Sequence, residues 1–150
     1  MDNSEKPSNI EFDVANEEVN KIIEQIEDFR VYFEPDLDKK EMNINIYHND
    51  GKFNSIQTGS GMEKTVTALA IRDALVNISN IPRCNILVMD ESIQTFDIDH
   101  LSTVGKLFDY LKQRYDTVFI ITHLSEIKEY SDFEVNIDNS SGYSKMQFLN

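Results

Sequence analysis

The chain has 150 residues, a hydrophobic fraction of 40% and a formal net charge of −13. This length allows one domain with a substantial core, and the apolar content is that of a globular chain rather than a disordered one. The first 50 residues hold 14 acidic and 5 basic side chains. Because an acidic surface repels phosphate backbones, we expect the chain alone to be a poor nucleic-acid binder.

The composition also bears on where the protein acts. A single cysteine, Cys84, cannot form an internal disulfide, which favours a reducing compartment. The first nine residues lack the apolar run of a signal peptide, and the longest apolar runs, of four or five residues, are too short to span a bilayer. We therefore expect no membrane association, and a cytoplasmic protein or a viral product acting in the host cytoplasm or nucleus.

The first 40 residues are predicted to form a tail and a helix. Residues 1–12 are polar and typical of a loose tail. Across residues 14–33, apolar side chains recur every three or four positions, which predicts a helix with one apolar stripe that ends at Pro35. This helical segment, residues 13–40, either packs on its own domain or is the stub of a longer coiled coil.

A hairpin and a helix are predicted next. Residues 42–47 alternate apolar and polar side chains, as a half-buried strand does, and turn residues then precede a second short strand at residues 53–56. A glycine-containing loop at residues 58–62 leads into a strong helix over residues 63–79, which Pro82 stops.

The remaining elements predict an α/β domain. Short apolar runs at residues 86–89 and 118–121 indicate buried parallel strands, with an amphipathic helix between them. A short helix at residues 125–130 and two weak strands, at residues 133–137 and 144–148, complete the chain. The alternation of strands and helices predicts that residues 41–150 form one α/β lobe with a partly parallel sheet, fronted by the hairpin.

Two acidic residues, Asp90 and Glu91, directly follow the first apolar run. Ligands of open α/β sheets bind at the carboxyl ends of strands, and a nucleotide-bound Mg²⁺ would offset two adjacent acids there. The pair fits a Walker B pattern, in which Asp90 holds Mg²⁺ through water and Glu91 orients or deprotonates the attacking water. The alternative is a strand that ends in an acidic, solvated loop.

A histidine, His123, follows the second apolar run in the same way. Because parallel strands end at the same edge of a sheet, we expect His123 to lie beside Asp90 and Glu91. A histidine at that point can form a hydrogen bond with a γ-phosphate and respond to its loss. The alternative is an ordinary polar residue at the end of a strand.

The loop before the helix at residues 63–79 is predicted to bind an anion. Ser60 and Glu63 form a Ser-x-x-Glu capping box, which is the purely structural alternative. Capping does not account for the glycines on both sides of the serine, Gly59 and Gly61. Glycines let backbone N–H groups approach a phosphate closely, and a helix N-terminus favours anions.

The sequence contains no P-loop, although residues 59–65 look faintly like one. The P-loop pattern is Gly-x-x-x-x-Gly-Lys-Ser/Thr, whereas Lys64 here follows Glu63, whose charge would repel phosphates. The other candidate, Gly51 and Lys52, lies in the predicted hairpin turn. A nucleotide at Asp90 and Glu91 would therefore have to be gripped by another polypeptide segment.

Taken in order, these motifs resemble the C-terminal lobe of ABC-type ATPase heads of the SMC and SbcC group of coiled-coil DNA-repair and chromosome ATPases. Residues 60–64 resemble the signature motif, typically Leu-Ser-Gly-Gly-Glu/Gln, and residues 68–75 resemble the Leu-Ala-Ile/Leu-Arg-x-Ala-Leu helix after it. Asp90 and Glu91 match Walker B, Asp97 falls where the D-loop lies, and His123 matches the switch histidine. The resemblance covers roughly residues 42–137, and the predicted N-terminal helix falls where a returning coiled-coil arm would join the head.

The resemblance implies binding of ATP and Mg²⁺ in two half-sites. Ser60 and Gly61 are expected to contact the γ-phosphate of a nucleotide on an opposing head, with Glu63 completing the same motif. Arg72 matches a helix position that helps couple the ATP state to lobe rotation in the repair ATPases. The alternative is a surface salt bridge of Arg72 with a nearby acid such as Asp73 or Glu63.

The other half-site acts within the same head. The resemblance implies that Asp90 binds the metal, that Glu91 and His123 are catalytic, and that Asp97 belongs to the nucleotide site. All four would act on an ATP held by the N-terminal lobe.

The sequence also departs from the family pattern. Gly59 replaces the usual leucine, Met62 replaces the second glycine of the signature, and Phe96 replaces the D-loop leucine. The N-terminal lobe with its P-loop is absent from these 150 residues. The expected partners are therefore a P-loop lobe, on the same protein or a separate chain, and a second ATPase head.

Two functions remain open at this point. The first is an ATPase half-site that hydrolyses ATP only when joined to a P-loop lobe and drives head dimerisation in DNA repair, recombination or replication. DNA contact would come only through the assembled complex, and the resemblance suggests a nuclease partner of the SbcD type. The second is a non-enzymatic half-head that caps or regulates another ATPase head.

Overall fold

A computed structural model describes residues 9–36, 38–79, 82–93, 101–139 and 142–149. Within these ranges the chain contains three α-helices and seven strands. The strands form a three-stranded sheet, a parallel pair and an antiparallel pair. The predicted α/β class with a partly parallel sheet is therefore confirmed.

The N-terminal helix is shorter than the sequence predicts. Helix α1 spans Asn9–Ile23, so it begins inside the segment expected to be a tail, whose residues 1–8 lie outside the described ranges. The prediction of a helix up to residue 33 is wrong, because strand β1 spans Phe29–Asp36. Phe29 and Val31 are buried while Arg30 between them is exposed, which is the period of a strand. Apolar residues at positions 26, 29 and 33 also have helical spacing, and sequence periodicity could not separate the two.

Side chains of α1 satisfy the free edge of β1. The Asn20 amide donates to the Val31 carbonyl at 2.7 Å and accepts from the Val31 N–H at 2.8 Å, and Asn16 accepts from the Phe33 N–H at 2.9 Å. These amides take the place of a neighbouring strand, which protects an otherwise open edge. The buried Val19, Ile22 and Ile23 then pack α1 on its own domain.

The predicted hairpin is confirmed and is part of a larger meander. Strand β2 spans Glu41–His48 and pairs antiparallel with β1 on one side and with β3, Phe53–Ser55, on the other. Gly51 has a φ of +83° in the turn between β2 and β3, a conformation that glycine adopts without strain. The lobe boundary predicted at residue 40 thus falls in the connection between two paired strands.

The central elements follow the predicted order. Helix α2 spans Gly61–Ile78, β4 spans Ile86–Asp90, α3 spans Leu101–Arg114 and β5 spans Thr117–Ile121. Strands β4 and β5 are parallel. Apolar side chains of the three helices, of β1 and β2 and of one face of β4 form the core.

One face of the parallel pair is bare, contrary to the prediction of fully buried strands. Leu87 and Met89 are buried, but the alternate residues of both strands are exposed. These four side chains are 50–57% exposed: Ile86, Val88, Phe119 and Ile121. Parallel sheets are normally covered on both faces, and no described residue supplies the second layer here. We call this surface the bare sheet face.

A buried carboxylate ties α2 to α3. The Asp73 side chain is 2% exposed and accepts hydrogen bonds from Tyr110 at 2.6 Å and from Tyr115, with the Arg114 guanidinium 3.4 Å away. Burial, and then the Asp73 carboxylate, raise the pKa of Tyr115 to about 12. The pKa of Tyr110 is raised by the same two causes.

The C-terminal part is a short hairpin. A 3-10 helix at Ser125–Tyr130 leads to β6, Glu134–Asp138, which pairs antiparallel with β7, Lys145–Leu149, so the short helix and the two weak strands are confirmed. No helix in the described ranges is both long enough and apolar enough to traverse a bilayer.

Candidate functional site

The ends of β4 and β5 bring three predicted site residues to one edge. Asp90 is the last residue of β4 and lies opposite Ile121, the last residue of β5. The Glu91 N–H donates to the Ile121 carbonyl at 2.9 Å, which extends the pairing one residue further. His123 follows two residues after Ile121. The backbone register therefore puts these three positions at the same carboxyl edge of the pair.

Glu91 sits in a strained turn. Its φ is +50°, a left-handed conformation that costs a non-glycine residue on the order of 1 kcal/mol. Two hydroxyl groups hold this turn, since the Ser92 hydroxyl donates to the Asp90 carbonyl at 3.1 Å and the Thr65 hydroxyl of α2 donates to the Ser92 carbonyl at 3.0 Å. Strain of this kind is retained where the position of a side chain matters.

The three side chains at this edge are open to solvent. Asp90, Glu91 and His123 are exposed, and within the described part of the chain their side chains form no hydrogen bond or ion pair. Two adjacent exposed carboxylates without a cation are suited to Mg²⁺, which is usually held by one or two carboxylates together with substrate phosphates. No cluster of three or more metal-binding side chains occurs in the described ranges.

The loop before α2 forms the predicted capping box. The Ser60 hydroxyl oxygen accepts from the Glu63 N–H at 3.2 Å, and the Glu63 carboxylate accepts from the Ser60 N–H at 2.6 Å. The hydroxyl oxygen of Ser60 is thus engaged as an acceptor, and in the described residues its proton has no acceptor. An exposed hydroxyl proton at a helix N-terminus is a suitable donor to an anion.

The two departures from the signature pattern have a structural basis. A Cβ at Gly59 would lie 3.0 Å from the Ile46 side chain, 3.1 Å from the Glu63 carboxylate and 3.3 Å from the Ile56 carbonyl, so a side chain there would be tightly packed and its neighbours would have to shift. Ile46 is fully buried at this contact. Met62 is also buried, so its side chain points into the core rather than over the loop.

A contact that the sequence did not reveal links the hairpin to the loop. His48, at the end of β2, has its Nε2 atom 3.4 Å from Glu63 Oε1 and 3.0 Å from Asn54 Oδ1. His48 carried no local signal, because 14 residues separate it from Glu63 and only the folded hairpin brings them together.

A cleft of about 440 Å³ lies between α2 and β4. Its polar wall includes Lys64 and Arg72 from α2, and Glu91 lies at the β4 side. Neither of the two salt bridges considered for Arg72 forms, since Asp73 binds Tyr110, Tyr115 and Arg114, and Glu63 binds Ser60 and His48.

The D-loop lies outside the described residues. Asp97, and the neighbouring Phe96, fall in the range 94–100, so the expected role of Asp97 stays a prediction. The roles assigned from the sequence to Ser60, Gly61, Glu63, Asp90, Glu91 and His123 likewise remain predictions.

The sequence of the chain was compared with family models and with known proteins. No family model matches the chain. It is 42% identical over 106 residues to the uncharacterized protein R555 of Acanthamoeba polyphaga mimivirus, and this match covers 70% of the chain but 8% of that protein. The chain thus spans less than a tenth of the length of this relative.

Solved structures of SMC heads are similar to the chain. A structure concerned with ATP-driven dimerization and DNA-stimulated activation of SMC ATPases matches with a TM-score of 0.71 at 17% identity, covering 94% of this chain and 86% of that one. The Smc head domain of Pyrococcus furiosus, bound to the C-terminal domain of ScpA, matches with a TM-score of 0.64 at 18% identity, and the match covers 92% of this chain and 35% of that one. The SMC head domain of Thermotoga maritima matches with a TM-score of 0.60 at 21% identity, and the match covers 95% of this chain and 51% of that one.

These likenesses establish the architecture. The chain has the fold of an SMC ATPase head, in agreement with the predicted C-terminal half of an ABC-type head. At such low sequence identities, structural similarity shows only the fold, and an activity has to be argued from the residues of the site.

Proposed function

We propose that this chain is one half of an SMC/SbcC-like ATPase head, which contributes the signature motif and the hydrolytic side chains to ATP gripped by a separate P-loop lobe. The main support is the meeting of Asp90, Glu91 and His123 at one edge of a parallel strand pair, in a chain with an SMC head fold. The carboxyl edge of such a pair is where α/β proteins bind nucleotides.

Each side chain at this edge has a distinct role in the proposal. Asp90 would hold Mg²⁺ through water, and the ion would neutralise charge on the β- and γ-phosphates. Glu91 orients the attacking water and accepts its proton. His123 donates a hydrogen bond to the γ-phosphate.

The bare sheet face supports the need for a second lobe. Ile86, Val88, Phe119 and Ile121 form an apolar surface that continues to Asp90 at its carboxyl end. Each of these side chains would gain roughly 1 kcal/mol or more by being covered. A P-loop lobe that covers this face brings its nucleotide to the adjacent acids.

The signature loop acts on a different nucleotide. Ser60, with its hydroxyl proton available, and Gly61 contact the γ-phosphate held by the opposing head, so ATP joins two heads. The wider role that we propose is in DNA repair, recombination or replication, with DNA bound only by the assembled complex and with a nuclease of the SbcD type as partner. This wider role rests on the motif resemblance. The proposed location, the cytoplasm or, for a viral protein, the host cytoplasm or nucleus, rests on the composition instead.

Reconstitution with a separately expressed P-loop lobe tests the proposal. We expect no ATP turnover from the pure chain and clear turnover from the mixture, because phosphoryl transfer depends on complete positioning. Glu91→Gln should lower kcat of the mixture roughly 10²- to 10⁴-fold. Glu129→Gln, an exposed carboxylate on the 3-10 helix, is the matched control and should have no effect.

Other results would contradict the proposal. Turnover by the pure chain that Glu91→Gln abolishes would mean that the site is complete without a second lobe. Inhibition of a complete ATPase head by the chain, with no stimulation of the P-loop lobe, would favour the non-enzymatic cap.

A further inference from the structure

We propose that His48 is a positioning residue for the signature motif: its ring lies against the Glu63 carboxylate, with Nε2 3.4 Å from Oε1, and this carboxylate in turn fixes the backbone amide of Ser60. This inference rests on the proposed function only for its consequence in the assembled ATPase. The contact itself belongs to the chain alone.

The surroundings of His48 define its proton. Nε2 lies 3.0 Å from Asn54 Oδ1 and 3.4 Å from Glu63 Oε1. The amide nitrogen of Asn54 faces the Ser55 carbonyl at 3.5 Å, which agrees with its oxygen facing the histidine. Since both neighbours of Nε2 are acceptors, this nitrogen carries the hydrogen. It donates the hydrogen to Asn54 Oδ1, and Glu63 Oε1 lies beside this bond as a polar contact at 3.4 Å.

Glu63 is held at both of its oxygens. Oε1 faces His48, while Oε2 accepts the Ser60 N–H at 2.6 Å. The side chain of Glu63 is 14% exposed. Because Gly59 has no Cβ, this carboxylate can lie directly against the loop. The carboxylate therefore cannot rotate without breaking a contact to the hairpin or to the loop.

This arrangement also addresses a problem of charge. Glu63 is an acid next to a loop proposed to bind phosphate, and an unpaired carboxylate there would repel the ligand. The Ser60 N–H at Oε2 and the polar ring of His48 at Oε1 both offset part of this negative charge. Loss of His48 should therefore leave the carboxylate freer and the phosphate contact weaker.

The first test uses NMR of the isolated chain with two substitutions at one position. In His48→Leu, we expect the Ser60 amide proton to move upfield and to exchange about tenfold faster, since the carboxylate that it binds is no longer held. In His48→Gln, whose side-chain amide keeps a donor, both values should stay close to those of the wild type. Tyr47→Leu, which disturbs the aromatic contacts of the same strand without touching Glu63, is the control and should leave Ser60 unchanged.

The possible outcomes separate the positioning role from a structural one. Equal changes in His48→Leu, His48→Gln and Tyr47→Leu would mean that only hairpin stability matters, and would overturn the proposal. An unchanged Ser60 amide in His48→Leu would overturn it as well. If His48→Leu does not fold, Glu63→Gln provides the second variant: its weaker acceptor should move the Ser60 resonance upfield, and an unmoved resonance would contradict the proposal.

The second test measures ATP-driven dimerisation of the assembled head. His48→Leu should require more ATP for dimerisation, with recovery in His48→Gln and little change in kcat per dimer. A Ser60 amide that responds as described, in a head that binds no ATP, would leave the positioning role standing and refute the proposed function. Normal ATP-driven dimerisation in His48→Leu would contradict the proposal that His48 strengthens the phosphate contact of the signature loop.

Discussion

The two functional regions of this chain differ in how far their side chains are already held. At the signature loop, Ser60 and Glu63 form reciprocal hydrogen bonds, and the His48 ring of the hairpin lies 3.4 Å from the carboxylate. At the strand edge, the side chains of Asp90, Glu91 and His123 are exposed, and no described residue binds them. Only the backbone is fixed there, by the Glu91 amide and the hydroxyls of Ser92 and Thr65.

This difference indicates which region is completed by a partner. The side chains of a loop can be held in their binding positions by one chain, because capping hydrogen bonds and packing are enough to fix them. Under the proposed function, the acids at the strand edge are offset by the positive charge of a nucleotide-bound Mg²⁺, so they stay unpaired until the metal–nucleotide complex binds. The bare sheet face beside these acids fits the same conclusion.

The largest expected effect comes from Ser60→Asp. Aspartate caps a helix as well as serine does, so the fold should be retained, but a carboxylate placed against a γ-phosphate should abolish ATP-driven dimerisation. Size-exclusion chromatography of the assembled head with ATP measures the dimer. Ser102→Asp, an exposed position in the first turn of α3, is the control and should dimerise normally. Normal dimerisation of Ser60→Asp would contradict the proposal that the signature loop contacts the γ-phosphate.

Asp73→Ala should have the next largest effect, on stability rather than on binding. It leaves two tyrosine hydroxyls and Arg114 without their buried acceptor, and we expect the free energy of unfolding to fall by about 3 kcal/mol. Urea unfolding measures the loss. The exposed Asp109→Ala should cost less than about 0.5 kcal/mol. A loss as small as that for Asp73→Ala would show that the network does not support the signature helix.

Phe119→Ser tests the second region, the strand edge with its bare sheet face. Phe119 is 56% exposed on the bare sheet face, so its loss should affect the stability of the chain little. Binding of a P-loop lobe should weaken roughly tenfold, as expected for about 1–2 kcal/mol of lost apolar burial. Calorimetry measures both affinities, with Phe133→Ser, at an 82% exposed position before β6, as the matched control. Equal affinities of the wild type and Phe119→Ser would mean that the P-loop lobe does not bind the bare sheet face.

The smallest effect concerns alkaline pH. Tyr115 has a pKa of about 12 in the folded chain, above its usual value of about 10. Its protonated form therefore favours the folded state fully below pH 10, and this contribution is lost as the pH rises towards 12. Urea unfolding should show a steeper decline in stability between these values in the wild type than in Tyr115→Phe, by on the order of 1 kcal/mol. Parallel curves would contradict the buried position of the hydroxyl.

The sequence predicted the local features of this chain and missed those that depend on distant neighbours. The capping box of Ser60 and Glu63 and the turn at Gly51 are encoded within four residues, and both are found. The positions of Asp90, Glu91 and His123 follow from where two apolar runs end. In contrast, β1 shares its apolar spacing with a helix, and only pairing with β2 decides for a strand. The contacts of His48 with Glu63 and of Thr65 with Ser92 join elements that no local pattern connects.

The central claim is that the acids of one head and the signature of the opposing head complete each nucleotide site. Mixing two inactive heads, each assembled with the P-loop lobe, tests this claim most directly. A head with Ser60→Asp and a head with Glu91→Gln should each be inactive, but their mixed dimer contains one site with both residues intact. We expect the mixture to regain turnover that neither head has alone, up to about a quarter of the wild-type value, because each mixed dimer has one working site and carries Ser60→Asp at only one of its two nucleotides. A mixture as inactive as its two components would contradict the account.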